Sequence, residues 1–244
     1  MIRTAMAVAL AVAANVPALA HEPGTAEFNQ AVRGFLLENP EILSEMQVVL
    51  EERQRVQMAT QQADVLERET ARIFESEHNI VLGNPEGDVT VVEFFDYNCG
   101  FCARAMRDMQ AVIERDPNVR FVLKEFPILG PDSTDAHTVS LAVARIAPAK
   151  YPEFHQLLLG GDGPATLETA FATAEMVGID RRELEAAIVP PSAEPAFTEA
   201  YELAHSLRIS GTPSYVVGGE VVFGAQGAET LLRQVEAHRA SLTE

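Results

Sequence analysis

Cysteine is nearly missing from this chain: its 244 residues hold two. That excludes a scaffold stapled by many disulfides. It also excludes a four-ligand zinc site, because no second C-x-x-C or Cys/His cluster completes the set. Positive charge is scarce as well, with 18 Lys+Arg against 36 Asp+Glu and a net charge of −18. Such a chain repels polyanions, which argues against nucleic acid. Apolar runs are short, and none reaches the ~18 residues that a membrane span requires. Internal repeats are absent, as is glycine between Gly34 and residue 80.

The N-terminus reads as a secretory signal over 1–20. Arg3 supplies a charged n-region, Ala5 to Ala14 an apolar stretch, and Ala18-Leu19-Ala20 a small-residue cleavage site. No twin-arginine motif is present. The mature chain is expected to begin at His21 in an oxidising export compartment, the bacterial periplasm. Residues 21–79 then read as a helical segment. One helix opens at Thr25 or Glu27 and stops before Asn39-Pro40, since a residue preceding proline is biased away from helix. A second runs from Glu41 to Glu77, roughly 55 Å long. Its residues Ile42, Met46, Val49, Arg53, Val56, Thr60 and Ala63 follow heptad spacing. A stripe of this kind needs a cover, so the segment is expected to self-associate. Flexibility is expected first in the apolar-poor stretch Gln54 to Gln62.

Residues 80–244 read as one α/β domain. Strands are expected at Asn79–Leu82, Val89–Phe95 and Val119–Phe126, with a helix from Cys99 to Arg115 between the last two. That order implies a right-handed parallel βαβ unit. A helical insertion over about 131–192 follows. After it come a helix near Ala193–Leu207, a hairpin of Ser214–Val217 and Glu220–Phe223, and a closing helix from Gly227 to Ala240.

The two cysteines stand together as Cys99-Gly100-Phe101-Cys102, at the junction of an apolar strand and a helix. Cys99, nearest the helix N-terminus, is the expected nucleophile, because the dipole and free N–H groups favour thiolate. Cys102 lies one turn inside and is expected to resolve the mixed disulfide. Glu93 is a lone carboxylate in an otherwise apolar strand, and its expected role is to accept the buried thiol's proton, with Lys124 on the next strand as counter-charge. Thr212-Pro213, flanked by Gly211, is compatible with a cis bond, though sequence position alone does not decide the isomer.

Together, Glu93-Phe94-Phe95-Asp96-Tyr97-Asn98-Cys99-Gly100-Phe101-Cys102, Lys124-Glu125-Phe126-Pro127-Ile128-Leu129-Gly130 and Gly211-Thr212-Pro213 resemble the DsbA-type branch of the thioredoxin superfamily. The resemblance implies a thioredoxin fold interrupted by a helical domain, with Cys99 exposed and reactive, Cys102 resolving and Glu93 the buried acid. It also implies that Pro213 is a cis-proline packed on the disulfide and that Thr212 contacts an extended client. Phe35-Leu36-Leu37-Glu38-Asn39-Pro40-Glu41-Ile42-Leu43 is similar to the leader of the suppressor-of-copper-sensitivity C proteins, which implies self-association through residues 24–78, with a trimer favoured. One departure stands between the sulfurs. The oxidase type usually carries Pro-His there, whereas Phe101 offers neither charge nor donor and is expected to face the client.

A less oxidising dithiol on an oligomer suits disulfide isomerisation or reduction, acting on exported proteins and reset by a membrane thiol reductase, with no cofactor and no metal. The first alternative is a dithiol oxidase. The second is a copper-binding protein using Cys99 and Cys102, with Met106 and Met109 following on the helix and His21 at the new N-terminus.

Overall fold

The computed structural model describes residues 23–242. The signal segment and His21 lie outside them. The chain forms two compact units that divide between Arg55 and Val56, inside the stretch where sequence reasoning expects flexibility.

In the first unit, α1 (Ala26–Glu38) is capped by Thr25, whose hydroxyl accepts from the Phe28 N–H at 3.3 Å. Asn39-Pro40 separates it from α2 (Glu41–Arg68). No residue of α1 is buried. Leu37 is 69% exposed and Leu43 65%, and Phe35, Met46, Val48, Val49 and Leu50 are also exposed. Along the expected heptad, Met46, Val49 and Val56 lie open to solvent.

The second helix does not continue to Glu77. It ends at Arg68, and α3 (Thr70–Phe74) starts after Glu69, whose φ of −101° and ψ of 12° leave the helical well. Thr70 lies at the break. Its hydroxyl donates to the Leu66 carbonyl at 2.7 Å, the acceptor that its own N–H would use in a continuous helix. In the second unit Val65, Leu66 and Ile73 enter the core, and buried Gln62 donates to the Leu207 carbonyl at 2.8 Å.

The remaining elements are β1 (Ile80–Gly83), β2 (Val89–Phe95), α4 (Gly100–Arg115), β3 (Val119–Glu125), α5 (Pro131–Ile146), α6 (Tyr151–Leu159), α7 (Leu167–Met176), α8 (Arg181–Ala187), α9 (Pro195–Ser206), β4 (Ser214–Val217), β5 (Glu220–Phe223) and α10 (Ala228–Ser241). The sheet order is β1-β3-β2-β4-β5. Strands β2 and β3 are parallel, as the βαβ reading expects, and the other pairs are antiparallel. Both β2 and β3 are nearly all buried, which suits their continuous apolar runs.

Because successive side chains alternate, β2 feeds two cores. Val91 and Phe95 join Phe121, Leu123 and Tyr215 in a core shared with α4 and α10. Val92 and Phe94 join Val122 and Val216 against α3 and α9. The inserted helices α5 to α8 pack on one another. Gly130, at φ 120°, makes the sharp entry into α5 that a side chain would strain.

Candidate active site

The site is built where β2 runs out. Asp96, Tyr97 and Asn98 form a turn, Cys99 caps α4 with φ −89° and ψ 109°, and Cys102 sits one turn in. The Cys99 N–H donates to the Asp96 carbonyl at 3.0 Å. The fully buried Asp96 carboxylate accepts from the Asn98 N–H (2.8 Å), the Ser133 hydroxyl (2.8 Å) and the N–H groups of Ile128 (2.8 Å) and Leu129 (3.0 Å). One side chain thereby ties the cysteine turn to the loop that follows β3.

Thr212-Pro213 is a cis peptide bond. Its loop faces Cys99, whose sulfur lies 3.2 Å from the Thr212 carbonyl oxygen. Cys99 is less open than the resemblance implies, at 8% exposed, and Cys102 is wholly buried. Both are free thiols. Phe101 is the exposed member of the motif, at 58%, and the Arg104 guanidinium lies 5.2 Å from its ring centroid.

Electrostatics set the two sulfurs far apart. Hydrogen bonding from the Cys102 thiol brings the Cys99 thiol down to about 5. Burial opposes this, and the Thr212 side chain and the backbone N–H groups of Cys102 and Phe101 add to the lowering. Burial first, then the bond to Cys99 and the charge of Glu93, push Cys102 far above the usual thiol range. Glu93 is 3% exposed. Burial raises it to about 8, against a lowering hydrogen bond from the Tyr215 hydroxyl. A thiol drawn well down, a second thiol held protonated and a carboxyl poised near neutrality therefore lie together at this end of the sheet.

Lys124 is not the counter-charge expected for Glu93. Parallel pairing sets Glu93 beside Leu123 and Phe94 beside Lys124, so Lys124 points to the opposite face. There its ammonium meets Glu199 at 2.6 Å and donates to the Arg72 carbonyl at 2.7 Å. The group that does meet Glu93 is Tyr215, directly across from it on β4. Met106 and Met109 belong to the α4 core, and no group of three or more His, Cys, Asp or Glu that could hold a metal occurs among the described residues.

A polar cluster behind the turn escaped sequence reasoning. Glu125, at the end of β3, accepts from Ser140 (2.6 Å) and Tyr151 (3.0 Å) and contacts His137 Nδ1. The Tyr97 hydroxyl bonds Ser140 (2.8 Å) and His155 Nδ1 (3.0 Å). Burial holds the His155 imidazole near 3, hence neutral. His137 and His155 are buried and hydrogen-bonded, but nothing in their spacing reveals that they gather behind Cys99.

Residues 90–236 match the DsbA-like thioredoxin domain, and residues 25–57 match the N-terminal domain of the copper resistance protein ScsC. A thioredoxin-like oxidoreductase from Silicibacter pomeroyi is 40% identical, covering 70% of this chain and 97% of that one, with a TM-score of 0.66. Salmonella enterica Typhimurium BcfH is 25% identical over 86% of this chain and 93% of its own, with a TM-score of 0.75. Among curated proteins, a Na(+)/H(+) antiporter NhaA 1 of Salinispora arenicola is 27% identical over 156 residues, 62% of this chain. The match spans only 23% of the antiporter's length. No described helix here is long and apolar enough to cross a membrane.

Proposed function

Since the chain belongs to the DsbA-like thioredoxin family and is a thiol-disulfide oxidoreductase, we propose that it works in the periplasm as a disulfide isomerase or reductase for misoxidised exported proteins. The Cys99 thiolate attacks a client disulfide, forming one S–S bond to the client while the other client sulfur leaves as a thiolate and takes a proton. In isomerisation that client sulfur, while still a thiolate, attacks another client disulfide, and the client thiolate liberated last attacks the mixed disulfide and expels Cys99 as its thiolate. In reduction Cys102 gives its proton to Glu93, attacks the Cys99 sulfur and releases the client as a thiol. Cys99-Cys102 is then oxidised and needs a membrane thiol reductase to reset it. Phe101 and the Thr212-Pro213 loop border the reacting sulfur and receive the extended client segment.

The observation that carries the reading is the pairing of this site with an apolar arm. A Cys99 thiol near 5 falls between thioredoxin-type values of about 7 and the strong oxidase at about 3.5. The exposed stripe through Leu37, Leu43, Met46 and Val49 suits self-association, a trimer being favoured. Deletion is a poor test, since Val65, Leu66 and Ile73 belong to the core. Charged substitutions at exposed positions serve better. Leu37→Asp with Val49→Asp is expected to yield a monomer by solution mass and to slow refolding of a scrambled multi-disulfide protein by about tenfold or more, while reduction of a small disulfide stays unchanged. Equal shuffling by the monomeric variant would defeat the isomerase reading, as would a dithiol found mostly oxidised in cells.

A further inference from the structure

Three consecutive N–H groups lead into the nucleophile, and each has its own acceptor. The Cys99 N–H uses the Asp96 carbonyl, the Asn98 N–H uses the Asp96 carboxylate, and the Tyr97 N–H uses His137 Nε2 at 3.1 Å. The third acceptor stands apart, because it comes from α5, in the inserted domain. A ring that accepts at Nε2 carries its proton on Nδ1, and Nδ1 faces the Glu125 carboxylate. Glu125 is in turn held by Ser140 and Tyr151, from α5 and α6. The Asn98 side chain closes the same clasp, donating to Ser133 (3.1 Å) and to the Ala165 carbonyl (2.9 Å) and accepting from the Ala165 N–H (2.8 Å).

We infer that Glu125 and His137 are positioning residues for the nucleophile: Glu125 fixes the imidazole tautomer, and His137 Nε2 then fixes the Tyr97 amide and with it the placement of Cys99 at the start of α4. Neither residue touches a sulfur. Their effect passes through the backbone, by keeping the Cys99 sulfur in reach of the Phe101 and Cys102 N–H groups that favour its thiolate. A buried Tyr97 N–H without an acceptor would be costly, and the turn can relieve that cost only by moving. The inserted domain is thus part of the redox site, and the assignment holds for exchange in either direction.

Two substitutions split the imidazole's two functions. Glutamine places its amide near the position of Nε2, and asparagine places its amide near Nδ1. His137→Gln keeps an acceptor for Tyr97 and loses the contact to Glu125; His137→Asn keeps the contact and loses the acceptor. The readout is the pH titration of thiolate absorbance in the reduced full-length protein. His137→Asn is expected to raise the Cys99 midpoint by about one unit, a tenfold lower thiolate fraction at a pH well below the midpoint, while His137→Gln stays near wild type. Equal midpoints in the two variants overturn the assignment, whether both shift or neither does, because packing alone would then account for the residue. Nitrogen-15 NMR of the wild-type ring gives an independent check that requires no variant to fold. A proton on Nδ1 is expected, and a proton on Nε2 would overturn the assignment.

Discussion

The two faces of the central sheet each bury charge-bearing side chains, and they treat them in opposite ways. On the α3/α9 face, Lys124 is paired with Glu199 and carries structure. On the α4/α10 face, Glu93 has a tyrosine hydroxyl in place of a cation, and burial lifts it to about 8. The Glu199 carboxylate supports the Lys124 ammonium against burial, which still draws it below its ordinary value, whereas withholding a cation leaves a carboxyl able to gain and lose a proton near neutral pH. One strand position separates the two outcomes, since Glu93 and Phe94 are neighbours and only Phe94 lies beside Lys124.

The largest effect should come from breaking the paired face. Lys124→Met leaves the half-buried Glu199 with the Ser76 hydroxyl as partner but without its cation, and is expected to cost up to about 3 kcal/mol in denaturant unfolding, with no change in the Cys99 titration. If Lys124→Met instead alters the Glu93-dependent pH profile, the two faces are not separate.

Glu93→Gln tests the other face. Resolution of a Cys99 mixed disulfide, followed by rapid quenching, is expected to slow about 10²-fold at pH 8. The wild-type rate should climb with pH toward about 8 as the carboxylate forms, and the variant should lack that rise. Stability carries the same signature. Folding raises Glu93 from an ordinary 4.5 to about 8, so its contribution is full below 4.5 and is lost as pH rises through 8. Folding lowers the Cys99 thiol from 9.0 to about 5, so its contribution is full above 9.0 and is lost as pH falls through 5. From pH 5 to 8 the two oppose. Glu93→Gln removes the falling one, so the variant should gain on wild type by up to about 1.4 kcal/mol per pH unit. A constant difference between the two proteins would contradict the raised carboxyl.

Much of this contrast was legible in the sequence, but its geometry was not. The apolar run Val89–Phe95, the motif behind it and the Gly-Thr-Pro segment mark the strand, the two-cysteine turn and the facing loop through local pattern alone. Lys124 shows where local pattern stops. Its strand is read correctly, yet which face it joins depends on the register of a parallel pair closed through α4. The Glu125-His137 contact joins β3 to the inserted domain, and single histidines without ligand spacing give no sign of it. The break at Glu69 falls beyond the heptad, which ends at Ala63, and no glycine or proline marks it.

The most direct test of the reactive face is the thiolate titration of the reduced wild-type protein, read at the ultraviolet thiolate band with the oxidised protein as blank. The account predicts one step with a midpoint of about 5 from Cys99 and no second step through the ordinary thiol range, because Cys102 is held protonated. A first midpoint near the ordinary 9.0, or two thiols ionising together, would contradict it.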